Sequence, residues 1–193
     1  MPRNLAELAH AALTAGHTQG AGTAHVADTC VRDGLGFALL FHRRRDGHFA
    51  EELYFSTRID DESWTAADHL SGGVMGIDPT SALELAAILD GRSLAPFGES
   101  ETPLFTGRPQ ADDGYELLRF HELLVDGEAS HLAIDDTSPE ADPARGRIHK
   151  SLISQVALVA LYPGERFTVR PVVREGTSSY PLGEPYELTG PDS

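Results

Sequence analysis

The chain has 193 residues, of which 40% are hydrophobic and 23% charged; this suits one domain with its own core and argues against a wholly disordered chain. Its 30 acidic and 15 basic residues leave a net charge of −15, so nucleic acid and anionic membrane surfaces should be repelled as main partners. The single cysteine, Cys30, excludes an internal disulfide and a multi-cysteine metal site.

The N-terminal residues 1–16 predict a short amphipathic helix. Apolar side chains recur there at helical spacing, Asn4 is placed to cap the helix and Gly16 is placed to end it. No apolar run in the sequence approaches the ~20 residues needed to cross a bilayer. We therefore expect a soluble, cytoplasmic protein without a membrane segment.

The stretch LLFHRRRDGHFAEELYF, residues 39–55, predicts a β-hairpin. Two β-prone runs flank Asp46 and Gly47, a dipeptide typical of a two-residue type I′ turn. That turn would place His42 opposite Glu51. Such a pair is either a histidine base oriented by a carboxylate, with Arg44 nearby to receive an anion, or a solvent-exposed pair that contributes little energy.

The middle of the chain predicts a helix followed by a long loop. Residues 58–73 predict a short helix or turn, and Asp78 with Pro79 forms the start signal of a helix that ends near Asp90. Residues 92–113 carry three prolines without clear periodicity, so we expect a long surface loop, a type of segment that often forms a lid or a binding edge.

A second predicted hairpin, residues 117–135, contains the strongest candidate site. A two-residue turn at Asp126 and Gly127 would place Glu122 opposite His131, with Asp135 on the same face. A carboxylate and an imidazole can bind a divalent metal, or the carboxylate can orient the imidazole as a general base. The alternative is a Glu–His pair beside solvent, and a register slip of one residue would scatter the three side chains.

Two further histidines have simpler interpretations. His121 is expected on the other strand face, as a half-buried histidine bonded to the backbone. The segment His149-Lys150-Ser151 follows Arg147 and resembles an anion-binding edge at best; the sequence favours a solvated loop there.

The C-terminal part predicts more β-structure. Residues 148–161 are compatible with strand or helix, of which we favour strand, and two β-rich runs about Pro163 and Gly164 predict a third hairpin. Residues 176–193 are rich in proline and glycine and predict a tail that packs as an arm or frays.

Together these elements predict a single α+β domain, residues 1–193, with a mainly antiparallel sheet of hairpins and two or three helices packed on one face. The predicted function is a small-molecule-binding protein or a cofactor-poor enzyme. The alternative is a non-catalytic acidic module that binds a basic protein partner. No nucleotide, EF-hand or HExxH pattern occurs, so the sequence predicts no particular cofactor or metal. The candidate acid–base or metal-binding residues are His42, Glu51, Glu122, His131 and Asp135.

Overall fold

The structure, a computed structural model, describes residues 5–16, 23–60, 63–141 and 146–192. The chain divides into two compact units, Met1–Ala87 and Ile88–Ser193. The single-domain organisation stays a prediction, and Asn4, the predicted cap, lies outside the described residues. None of the described helices is long and apolar enough to cross a membrane.

The first unit is a helix packed on a four-stranded antiparallel sheet. The predicted N-terminal helix is confirmed and packs against the first three strands, where it buries Leu8 and Leu13. Residues 58–73 were predicted to form a short helix or turn, and for residues 68–73 this is wrong: they belong to the fourth strand, because pairing with the third strand overrides their weak β-propensity. In chain order the elements are α1 (Leu5–Ala15), β1 (Ala24–Arg32), β2 (Leu35–Arg43), β3 (Phe49–Thr57) and β4 (Asp68–Met75).

Helix α2 (Ala82–Leu89) confirms the predicted second helix but begins later than its start signal. The side chain of Asp78 accepts a hydrogen bond from the backbone of Thr80 at 2.8 Å and so closes the preceding turn. The hydroxyl of Ser81 caps the helix itself by accepting from the backbone of Glu84.

The second unit consists of two antiparallel sheets. The strand order is β5-β6-β9 in one and β11-β10-β7-β8 in the other, where β12 also pairs with β10. The predicted α+β class with mainly antiparallel sheets is thus confirmed in coarse form, the chain being mostly β; packing of the helices on one face stays a prediction. The strands are β5 (Leu94–Phe105), β6 (Tyr115–Val125), β7 (His131–Asp136), β8 (Ile148–Ser151), β9 (Val156–Leu161), β10 (Arg166–Glu175), β11 (Ser178–Pro181) and β12 (Tyr186–Thr189).

Two segments predicted as irregular contain strands. Strand β5 occupies most of residues 92–113, and its residues Pro96 and Pro103 are tolerated because β5 is the outer strand of its sheet. In the tail, residues 176–193, strands β11 and β12 both pair with β10. The loop prediction was therefore wrong, and the tail contributes two strands to the sheet that contains β10.

The favoured strand interpretation of residues 148–161 is confirmed, since they form β8 and β9. The prediction of a third hairpin is wrong, because β9 pairs with β6 whereas β10 pairs with β7, β11 and β12. The chain leaves one sheet and enters the other between these strands.

The core of the second unit decides which side of β7 faces outward. Leu132 and Ile134 join Phe167 and Val169 of β10 in a buried cluster to which β6 and β9 also contribute. Because side chains alternate along a strand, the odd-numbered residues of β7 and the even-numbered residues of β10 lie on the outer face of this sheet.

Candidate functional site

The first hairpin turns through three residues rather than two. The backbone nitrogen of Arg44 donates to the carbonyl of His48 at 2.8 Å, and Gly47 adopts a φ of 90°. This combination is typical of a three-residue loop that ends in a glycine bulge. The additional residue shifts the register by one, so His42 lies opposite Ala50 while Glu51 lies opposite Phe41. The predicted His42–Glu51 pair is wrong.

Glu52 is the carboxylate that His42 contacts. One oxygen of Glu52 lies 3.2 Å from Nε2 of His42, and the other lies 2.7 Å from Nε2 of His69 on β4. The carboxylate passes close to the backbone of Gly72, where an added Cβ would collide with it. Both oxygens are therefore already occupied by histidines within the first unit.

The second predicted hairpin does not form. The turn at Asp126 closes with a hydrogen bond from the backbone of Ala129 at 3.0 Å, but the next amide, that of Ser130, donates to Val172 of β10. The chain therefore crosses into the other sheet instead of returning beside β6. As a result Glu122 of β6 lies in a different sheet from His131 and Asp135, and the predicted trio is wrong.

Residues 121 and 122 are buried in the sheet of β5, β6 and β9. Glu122 is 6% exposed, with its carboxylate beside Gly98. His121 is 8% exposed, and its Nε2 donates to the carbonyl of Thr189 at 3.1 Å. The predicted bond of His121 to the backbone is confirmed, and the side chain is more deeply buried than the half-buried position that was predicted.

His131 and Asp135 do lie on one face of β7, as their spacing predicted. They line an open cleft of about 180 Å³ on the outer face of the sheet that contains β7, β8 and β10. We call it the β7 cleft. Neighbouring strands supply the remaining charged groups. The residues that define the cleft are His131, Ala133, Asp135, Arg147, His149 and Arg170.

Ala133 forms the floor of the β7 cleft. It lies opposite Arg170 on β10 and opposite His149 on β8, and it is 4% exposed. Strands in a sheet are about 4.8 Å apart, so the backbones that carry the arginine and the histidine are separated by roughly 10 Å. A methyl side chain between two long polar side chains leaves the depression that defines the cleft.

Asp135 is paired with Arg147 at one end of the cleft. Nε and a terminal nitrogen of Arg147 donate to the two carboxylate oxygens at 2.7 and 2.9 Å, a bidentate geometry. These hydrogen bonds hold the pKa of Asp135 below its ordinary value, and Arg147 and Arg170 lower it further by their charge. Asp135 is therefore an ionised partner of Arg147 and not a general acid at neutral pH.

His131 is held at the other end of the cleft by a hydrogen-bond chain. Its Nδ1 lies 2.9 Å from the hydroxyl of Ser130, which in turn lies 2.9 Å from the carbonyl of Val172. Its ring centroid is 5.1 Å from that of His149. Burial lowers the pKa of His131, and the nearby His149 and Arg174 lower it further, so the ring is neutral at neutral pH.

Arg170 is the charged residue of the β7 cleft that has a hydrogen-bond donor without a partner among the described residues. Its Nε is buried and has no hydrogen-bond partner among the described residues. The guanidinium acts on Asp135 only through longer-range attraction, because that carboxylate is bonded to Arg147. A buried donor without a partner costs free energy.

The residues that the structure describes contain no group of three or more His, Cys, Asp or Glu side chains that could hold a metal ion.

Sequence reasoning missed Arg170 and undervalued His149. Arg170 could have been found from alternation, because Phe167 and Val169 mark the inner face of β10 and so place Arg170 on the outer face. The segment at His149 was favoured as a solvated loop, but it forms β8 and borders the cleft. The possibility of an anion-binding edge there stays a prediction.

Comparisons with known proteins supply no family for this chain. No protein-family model matches it, and no curated protein and no solved structure matches it significantly. What the cleft can bind is argued below from its own side chains.

The Glu52 cluster makes a testable contribution to stability. Replacing Glu52 by Met removes both histidine contacts, and we expect the free energy of unfolding to fall by about 1 kcal/mol. Unfolding in urea can be followed by the fluorescence of Trp64, the single tryptophan, which lies in the same unit. Glu51→Met is the matched control and should have less than half this effect. An equal loss in the two variants would contradict the observed register.

The Asp135–Arg147 pair can be tested by titration. In Arg147→Met the pKa of Asp135 should rise toward its ordinary value, because the hydrogen bonds that favour the carboxylate are lost. Since folding depresses this pKa, the pair contributes stability above the unfolded-state pKa, and the contribution disappears as the pH falls through the folded-state pKa. Carboxyl ¹³C NMR measures the shift. Asp78 is the internal control, since Thr80 lowers its pKa independently. An unchanged Asp135 titration would contradict the assignment.

Proposed function

We propose that the second unit binds a small oxyanion, such as a phosphate or carboxylate group, in the β7 cleft. The observation that carries this proposal is the guanidinium of Arg170, which lines the cleft with no ion pair and whose Nε has no protein partner among the described residues. Guanidinium groups are well suited to oxyanions because their planar donors match two oxygens at once.

The local balance of charge supports an anion despite the acidic chain. Asp135 neutralises Arg147, which leaves the charge of Arg170 uncompensated by a direct ion pair within the described cleft. Arg174 is close enough to His131 to lower its pKa. Charges more than about 8 Å apart are largely screened at physiological ionic strength, so these nearby cations outweigh the distant acidic groups.

The dimensions of the cleft favour a small group. A volume of about 180 Å³ is less than that of a pocket that encloses a drug-sized molecule. It suits an inorganic anion or the anionic end of a larger molecule whose remainder stays in solvent. His131 lies where it can exchange a proton with such a ligand, which keeps a cofactor-poor enzyme within this proposal.

The alternative, an acidic module that binds a basic protein, rests on the net charge alone. No particular contact of the described residues favours it over the cleft. The Glu52 cluster of the first unit is not part of this proposal, because its carboxylate is already shared by His42 and His69.

Calorimetric titration with inorganic phosphate at low ionic strength tests the proposal. Arg170→Gln should weaken binding at least tenfold, because a hydrogen bond to a charged group contributes about 1.5–3 kcal/mol. Arg45→Gln is the matched control: it removes the same charge from an exposed turn in the first unit and should bind like the wild type. Circular dichroism checks that both variants fold. Equal affinity of Arg170→Gln and wild type, or no phosphate binding by wild type, would contradict the proposal.

A further inference from the structure

We propose that the β7 cleft selects an oxyanion that carries a proton, such as hydrogen phosphate or a singly protonated phosphate monoester, over one that carries none. This inference rests on the proposed function and specifies the ligand of the same site. Its basis is the hydrogen-bond chain that fixes which nitrogen of His131 is protonated.

The hydroxyl of Ser130 determines this tautomer. Both 2.9 Å contacts of the Ser130 oxygen can be hydrogen bonds in one arrangement alone, in which its single hydrogen is donated to the carbonyl of Val172, because a carbonyl oxygen can only accept. The same oxygen lies 2.9 Å from Nδ1 of His131 and can only accept from it. Nδ1 is therefore the nitrogen that carries the proton.

Nε2 of His131 is consequently a hydrogen-bond acceptor. Burial, His149 and Arg174 together keep the ring neutral, so it has a single N–H, and that hydrogen is used by Ser130. Nε2 forms no hydrogen bond with the residues that the structure describes, although the ring borders the cleft. A lone pair thus stands beside the space that a ligand would occupy.

A ligand that bonds to both Arg170 and His131 needs a negatively charged acceptor and a hydrogen-bond donor. Arg170 supplies a donor and attracts an oxygen with negative charge. His131 supplies an acceptor and attracts a hydroxyl. In the described part of the chain the carboxylate of Asp135 is hydrogen-bonded to Arg147 and not to Arg170, and as an acceptor it has no hydrogen to give to Nε2 of His131.

A protonated phosphate meets both demands. Its anionic oxygens accept from Arg170 while its hydroxyl donates to Nε2 of His131. Sulfate has the same tetrahedral shape but no proton near neutral pH, so an oxygen lone pair would face the lone pair of Nε2. An acceptor opposite an acceptor loses the hydrogen bond and leaves a desolvated polar atom without a partner.

The experiment compares inorganic phosphate with sulfate by calorimetry at about pH 8, where phosphate still carries a proton. Wild-type protein should bind phosphate about tenfold more tightly than sulfate, the factor that corresponds to one hydrogen bond of ordinary strength. In His131→Phe, which keeps a ring but removes the acceptor, phosphate should bind as weakly as sulfate. His48→Phe makes the same substitution at an exposed residue of the first unit; it is the matched control and should keep the preference.

A second variant tests the inference independently of whether His131→Phe folds. Ser130→Ala leaves the imidazole in place but removes the group that fixes its tautomer, so the preference for phosphate should fall severalfold. Long-range ¹H–¹⁵N NMR of the wild type should show a protonated Nδ1 and an unprotonated Nε2 in His131.

The outcomes separate this inference from the proposed function. Equal binding of phosphate and sulfate by wild type, or a preference retained in His131→Phe, overturns the inference and leaves anion binding intact. A proton found on Nε2 instead of Nδ1 also overturns it. Failure of wild type to bind either anion overturns the proposed function together with this inference.

Discussion

Ala133 lies between Arg170 on one neighbouring strand and His149 on the other, and the β7 cleft depends on this register. The inner face of the same strand is anchored by Leu132 and Ile134 in the core of the second unit. A slip of one residue would bury the polar residues of β7 and expose its apolar ones, so the hydrophobic core itself fixes the cleft on the outer face. The geometry of the site is thus a consequence of packing on the opposite side of the sheet.

The two histidine clusters differ in how completely their polar atoms are used. In the first unit, Glu52 spans His42 and His69 and forms a closed set of contacts. In the β7 cleft, by contrast, Arg170 retains a donor and His131 an acceptor that the described protein groups do not satisfy. A buried donor such as Nε of Arg170 is rarely left without a partner, which is why we propose ligand binding at the cleft and not at the Glu52 cluster.

Local patterns in the sequence predicted more than long-range pairings did. The spacing of His131 and Asp135 placed them on one face because alternation along a strand is local. Asp46 and Gly47 predicted the position of a turn correctly but not its length. One additional loop residue shifted the register, so His42 lies opposite Ala50 and not opposite Glu51. Partners from distant strands, Arg170 above all, depend on which sheet each strand joins, and a turn that crosses between sheets carries no obvious signal of doing so.

The central claim is that an oxyanion binds over Ala133 and contacts the guanidinium of Arg170. The most direct measurement is ¹H–¹⁵N NMR of the arginine Nε–H signals during titration with inorganic phosphate. We predict a saturable shift of the Arg170 signal, while that of Arg119 stays in place because its Nε already donates to Glu101 at 2.7 Å. An Arg170 signal that does not respond, or one that moves no more than that of Arg119, would contradict the account.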